Sequence, residues 1–235
     1  MLKLGVIGLG DIAQKAYLPI YSSMEGIEFH LFTPNQDKCA AIGAKYRFQH
    51  LHTDLSSLIK SGVKGAFVHS STETHEDIVE ELLKNDIHVF VDKPITSHFD
   101  STKRLVELAE RKKLILLAGF NRRYSPVYNR LKEVENPNMV IVQKNRKALP
   151  GEIRTFIFDD FIHVVDTVRY LFPHPIEKLT VTGSKRDNIL SHVVVQFISS
   201  RGTALAIMNR ENGTNEEKAE VMGHLKKEQP IIFQN

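Results

Sequence analysis

Cysteine is almost missing: Cys39 is the single one in 235 residues. That excludes an internal disulfide and any cysteine-built zinc cluster, and Cys39 itself reads as a small helix residue rather than a nucleophile. No metal site is expected. Long apolar runs are missing too, for none reaches the roughly 20 residues of a membrane span. The start MLKLGVIGLG lacks the charged region and cleavage site of a signal peptide. A soluble, cytoplasmic protein without a membrane partner is therefore expected. Nor is there a block of like charge: 31 basic and 28 acidic residues are interspersed, which argues against a nucleic-acid arm. Internal repeats and low-complexity tracts are absent as well.

What is present is a change of rhythm. In the first half, strand-like runs at 2–8, 28–32, 65–70, 88–91 and 114–120 alternate with helical patterns. In the helical stretch DSTKRLVELAERKK, Leu105, Leu108 and Ala109 share one face. Such alternation implies right-handed crossovers and a doubly wound parallel sheet covered on both faces. In the second half, strands at 140–146, 178–184, 191–199 and 203–210 follow one another with only one strong helix, 161–172. That pattern predicts an α+β domain on a mainly antiparallel open sheet. The expected domains are 1–120 and 121–235. The ending EKAEVMGHLKKEQPIIFQN holds strand-like fragments without a convincing finish.

Gly8-Leu9-Gly10-Asp11-Ile12-Ala13 follows the first strand and opens the first helix. This is the G-x-G-x-x-A form of a dinucleotide-binding turn. The first glycine allows the tight turn, the second lets backbone approach a pyrophosphate, and the small third residue lets helix pack on strand. An acidic residue for the adenosine ribose is expected about 20 residues on. The second strand ends instead in Phe32-Thr33-Pro34-Asn35. Thr33 tolerates a 2′-phosphate that an aspartate would repel, and Lys38 is a candidate to pair with it. NADP or dual use is one reading; NAD served by Asn35 or the backbone is the other.

Ser70-Ser71-Thr72-Glu73-Thr74-His75 closes another strand at the carboxyl edge of the sheet. Thr72 or Thr74, with Asp77, is expected to cap the next helix. His75 reads equally as a lining residue of a cofactor pocket. At the same edge, VFVDKPIT ends a strand in Asp92-Lys93-Pro94. There the Lys93 ammonium is suited to stabilise the oxyanion that forms as hydride leaves a hydroxyl-bearing carbon. Pro94 fixes a tight turn and is a candidate cis residue. Asp159-Asp160-Phe161-Ile162-His163 starts the second-half helix, with Asp159 and His163 four apart. Asp166 is a candidate to orient His163, whose unperturbed pKa near ~6.5 suits it to take a hydroxyl proton. A capping aspartate and a satisfied core histidine form the plainer alternative.

Together these pieces resemble the Gfo/Idh/MocA family of NAD(P)-dependent sugar and polyol oxidoreductases. The resemblance rests on GLGDIA, SSTETH, DKPI, GFNRRYSP (119–126) and DDFIHVVDTVRYL (159–171), and the last looks most like the MviM-like branch. It implies a Rossmann domain followed by an α/β domain whose open sheet forms a homodimer or tetramer face. It also implies Lys93 as active-site lysine, Asp159 as substrate-binding acid and His163 as proton acceptor. Pro94 would shape the nicotinamide pocket, with Asn121 and Arg122 near cofactor and substrate. Asp92 stands where glutamate is commoner, and Thr33 where an acid is usual. The stretch before Asp159 is short, and the chain stops where members continue, so the second sheet is expected to be truncated. Two other readings share parts of the pattern: a nucleotide sensor without chemistry, and a reductase of imine or bilin-type substrates. The joint presence of Lys93, Asp159 and His163 weighs against the first, and the D-x-x-x-H helix against the second.

Overall fold

Val6 and Ile7 are neighbours on one strand, yet they pack into different apolar clusters. Successive strand residues point to opposite faces, so a strand buried on both sides needs consecutive apolar residues. The computed structural model describes residues 1–224, 227–228 and 231–234. It divides into two compact units, Met1–Gly119 and Phe120–Asn235.

The first unit contains β1 (Leu2–Ile7), β2 (Ile27–Phe32), β3 (His50–His52), β4 (Gly65–Val68), β5 (His88–Val91) and β6 (Leu116–Ala118). All pair in parallel in the order β3–β2–β1–β4–β5–β6. This is the doubly wound order in which ligands bind where the strand sequence reverses, outside the carboxyl ends of the strands. A π-helical turn, Ala13–Tyr17, leads into α1 (Leu18–Tyr21), and with α2 (Gln36–Tyr46) it covers one face. α3 (Leu55–Lys60), α4 (Thr72–Lys84) and α5 (Phe99–Arg111) cover the other. Leu82 and Leu105, both fully buried, fasten α4 and α5 to the sheet. Truncating either to alanine costs roughly 2–5 kcal/mol.

Several local expectations change. β3 and α3 carry too little pattern to be read: β3 is three residues with two histidines, and α3 is signalled chiefly by Asp54, whose carboxylate accepts from Ser57 N at 2.7 Å. Neither Thr72 nor Thr74 caps α4. Ser71 holds the N-cap position, and the Thr74 hydroxyl lies within hydrogen-bond reach of Ser71 O at 2.9 Å and Ser70 Oγ at 2.8 Å.

The second unit contains α6 (Pro126–Leu131), β7 (Met139–Lys147), β8 (Gly151–Glu152), α7 (Ile153–Thr155), a π-helical turn Phe156–Phe161, and α8 (Ile162–Leu171). β9 (Lys178–Arg186), β10 (Ile189–Ser199), β11 (Gly202–Asn212), β12 (Glu216–Met222), β13 (Lys227–Glu228) and β14 (Ile231–Gln234) complete it. The main order is β13–β12–β7–β11–β10–β8. Among the described residues only β7 and β11 pair in parallel, so the sheet is mixed and mostly antiparallel. Register explains its two faces. Val195, Ala206, Val142 and Ala219 lie side by side on the face that packs against Val164, Val168 and Leu171 of α8. The next row, Val194, Ile207, Gln143 and Lys218, lies on the opposite, half-buried face. The last segment supplies β12 to β14, with Leu225, Lys226, Gln229, Pro230 and Asn235 outside the described residues. No helix among the described residues is long and apolar enough to cross a membrane.

Candidate active site

The glycine-rich turn closes β1. Gly8 adopts φ +85°, and a Cβ there would stand 2.4 Å from Ser70 N, so no other residue fits without moving β4's end. Gly10 has open space where its Cβ would be, the room a phosphate needs to approach backbone. Ala13 is buried beneath the turn, while Ile12 is half exposed and Asp11 pairs with Lys15 at 2.9 Å on the surface. These residues fit a dinucleotide pyrophosphate. Thr33 is buried just beyond β2, and its N–H donates to His52 O at 3.3 Å. Asn35 caps α2, its Oδ1 accepting from the Lys38 backbone N–H at 2.9 Å. Its Oδ1 is thereby used by the helix.

The ends of β4 and β5 adjoin this turn. His69 N donates to Ile7 O at 2.7 Å, and Asp92 N to Val68 O at 2.9 Å. Gly8, Ser70 and Asp92-Lys93-Pro94 therefore share one sheet edge, and the Lys93–Pro94 bond is cis. Asp92 is tied from below. Its carboxylate accepts from His69 Nδ1 at 2.9 Å and from the Tyr17 hydroxyl at 3.1 Å. With Nδ1 donating, His69 Nε2 is left to accept from the Tyr21 hydroxyl at 3.2 Å. Tyr17 stacks on His69 with centroids 4.0 Å apart. Burial, with Asp92 beside it, pushes the Tyr17 hydroxyl up, and burial pushes Tyr21 up as well. Both phenols thus stay neutral donors. The acid of the turn is an anchor, and the lysine next to it is held half-buried at the edge.

His75 is not a lining residue. It is 1% exposed, with Nδ1 2.9 Å from Pro94 O and Nε2 3.0 Å from Ser70 O. It braces α4 against both the Pro94 turn and the segment after β4. The described residues also bring together one group with metal-ligand chemistry, Glu28, His30 and His50, on β2 and β3.

In the second unit, Asp159 is exposed on the π-helical turn that precedes α8, and His163 sits half-buried one turn on. π-helical turns often mark functional sites because they re-aim side chains. Asp166 is buried and receives both Nε and Nη2 of Arg123. Asn121 opens a short 3₁₀ turn, Asn121–Tyr124, and is exposed. Arg122 is half-buried in an ion pair. Its Nε and Nη2 reach the two oxygens of Glu217 at 2.5 and 2.8 Å, and the Tyr128 hydroxyl donates to the same carboxylate at 2.5 Å. Burial pushes Glu217 up, but Arg122, Tyr128 and Lys144 outweigh it and bring the carboxyl down to about 2.

Asp160 forms a second ion pair, with the Lys144 ammonium. Lys144 is buried, and desolvation pulls its pKa down against the pull of Asp160. Arg146 Nε and Arg210 Nε lie 4.0 and 3.9 Å from the same carboxylate. Sequence reasoning passed over Lys144, Arg210 and Glu217. A signal existed: each is a charge at an inward position of a strand whose preceding or following inward positions, Val142, Met208 and Ala219, are apolar.

A model described as an oxidoreductase family with an NAD-binding Rossmann fold matches residues 2–120. The chain belongs to the Gfo/Idh/MocA oxidoreductase family. A second model, the YceM-like C-terminal domain, matches residues 126–228. YceM of Salmonella typhimurium is 38% identical over 174 residues, covering 72% of this chain and 56% of that protein. A myo-inositol 2-dehydrogenase of Thermotoga maritima is 29% identical over 195 residues, covering 78% and 58%. The chain thus spans less than two thirds of the length of both. The crystal structure of the dehydrogenase MviM from Clostridium difficile superposes with a TM-score of 0.90 at 34% identity, covering 100% of this chain and 77% of that one. As a Gfo/Idh/MocA chain, the protein has the parallel nucleotide-binding sheet and the mainly antiparallel second sheet that the sequence predicts.

Proposed function

We propose that this Gfo/Idh/MocA chain transfers a hydride between NAD(P) and a secondary alcohol of a sugar or cyclic polyol. The observation that carries the proposal is the shared sheet edge, where the glycine turn at Gly8 and the Asp92-Lys93-Pro94 turn close neighbouring strands. A turn that admits only glycine beside Ser70 suits a dinucleotide, and a lysine anchored beside it suits an alcohol being oxidised. Similarity to a myo-inositol 2-dehydrogenase supports a polyol as substrate.

The proposed roles follow from chemistry. Gly8, Gly10 and the helix start from Asp11 to Ala13 hold the pyrophosphate, with Ser70, Ser71 and Thr72 lining the same edge. A bound nicotinamide supplies the hydride acceptor. Lys93 donates a hydrogen bond to the substrate oxygen and stabilises its developing negative charge. His163 takes the hydroxyl proton as general base, and Asp159 orients substrate and imidazole. Thr33 at the end of β2 adds no carboxylate to repel a 2′-phosphate, and Lys38 follows on α2, so NADP is accepted at least as well as NAD. The open sheet face carrying Ile141, Val194, Leu205 and Ile207 is read as the face between copies of the chain.

The test is incubation with NAD and with NADP over a panel of sugars and cyclic polyols, followed at the reduced-nicotinamide absorbance. Reduction with at least one carbinol substrate is expected, and its loss in Lys93→Met with cofactor affinity kept. Cofactor binding without turnover across the panel would favour the nucleotide sensor instead.

A further inference from the structure

The inward face of the second sheet changes chemistry along its strands. On β7, Val140 and Val142 are followed at the same face by Lys144 and Arg146; on β11, Ala204, Ala206 and Met208 are followed by Arg210. Three cations from two adjacent strands thereby surround a single carboxylate, Asp160. Like charges on paired strands repel, and one carboxylate neutralises only one of the three. Lys144 takes the short contact. The two arginines stand at 4.0 and 3.9 Å from Asp160, beyond hydrogen-bond distance.

Arg210 has a second peculiarity. Its Nε is fully buried and has no hydrogen-bond partner. The guanidinium is held in place regardless, over the Phe156 ring at 5.2 Å and beneath Gly151, where a Cβ would lie 2.9 Å from Nη1. A buried N–H without an acceptor costs about 1–3 kcal/mol. Arg146 is less constrained, with Nη1 donating to Asn145 O at 3.2 Å. A fold that holds both guanidinium groups about 4 Å from one carboxylate, next in sequence to Asp159, and leaves Arg210 Nε without an acceptor, is built to receive one.

We infer that Lys144, Arg146 and Arg210 form a subsite for an anionic group, a carboxylate or a phosphate, carried by the sugar or polyol substrate. The identity of that carrier rests on the hydride-transfer reading above. Arginine suits the task because its planar fork meets carboxylate and phosphate oxygens in pairs. The substrate class is then a sugar acid or a sugar phosphate rather than a neutral polyol.

Isothermal titration of the full chain at low salt tests this without turnover. The probes are glucuronate and glucose 6-phosphate against glucose, with inorganic phosphate as the control. Binding of at least one charged sugar tenfold or more tighter than glucose is expected, weakening as salt rises. In the double variant Arg146→Gln/Arg210→Gln, shown folded by circular dichroism, the preference should vanish. Arg146→Gln alone, at a half-exposed position, should lose part of it and serves if the double variant does not fold. Equal affinity for charged and neutral sugars overturns the subsite, as does a preference that survives in the double variant. Binding of inorganic phosphate alone, equal in wild type and variant, marks an adventitious ion only and also overturns it. Charged sugars that bind but never reduce nicotinamide would sink the hydride reading and leave the subsite standing. Neutral polyols oxidised with no anionic preference would do the reverse.

Discussion

Replacing Glu217 by glutamine removes the acid at the centre of the Arg122–Glu217–Tyr128 group. The wild-type carboxyl is lowered from 4.5 to about 2 by its partners, despite burial. At 1.36 kcal/mol per pH unit, that lowering is worth roughly 3 kcal/mol of folding stability. Because the folded value is depressed, the contribution is fully present above about pH 4.5 and is lost as pH falls through about 2. Roughly half or more is gone by pH 3. The glutamine variant has no such titration, and at pH 7 it leaves Arg122 buried without a charge partner at a cost of about 3–5 kcal/mol. Urea unfolding of both proteins at pH 7, 5, 4 and 3 measures the difference. The stability gap should shrink by about 2 kcal/mol between pH 7 and pH 3. A gap that stays constant over that range would refute the assignment of Glu217 as the depressed carboxyl.

Gly8→Ala forces a side chain into φ +85° and against Ser70 N. The left-handed conformation alone costs roughly 1–2 kcal/mol, so a lower melting temperature and at least tenfold weaker NADH binding by fluorescence titration are expected. His69→Leu removes a donor from Asp92, whose side chain is only 17% exposed. It should cost about 1–3 kcal/mol in denaturant unfolding and slow turnover, with the pH profile displaced because the Lys93 turn loses its anchor. Ile207→Lys places a charge on the open sheet face, where Ile207 pairs with Val194 and Gln143. Sedimentation should then show a smaller species than wild type, with the circular dichroism spectrum unchanged.

Much of the fold was legible because buried parallel strands are apolar in sequence and the helices between them keep one apolar face. β1, β2, β4 and β5 needed nothing more. β3 was not legible: at an edge, His50 and His52 face neighbours that tolerate polarity, and three residues make no period. The cofactor turn was readable because its glycine spacing lies in one short stretch after β1, and Gly8 at φ +85° occupies a conformation that favours glycine. The supports of the site were not. Tyr17, Tyr21 and His69 come from a helix and a separate strand and meet only when the sheet stacks them on Asp92. The same holds for the pairing of Arg122 with Glu217, 95 residues away in sequence. His75 looked like a pocket residue because its position in the chain is right, yet carbonyls on both sides of the ring use it for bracing.

The most direct test of the central claim follows the hydride itself. The panel substrate that reduces nicotinamide most rapidly is prepared with deuterium on its carbinol carbon, and the reduced cofactor is weighed by mass spectrometry. One deuterium per reduced nicotinamide is expected, and no labelled cofactor with Lys93→Met. Product formed with unlabelled cofactor, or no reduction with any sugar, sugar acid or polyol of the panel, would contradict it.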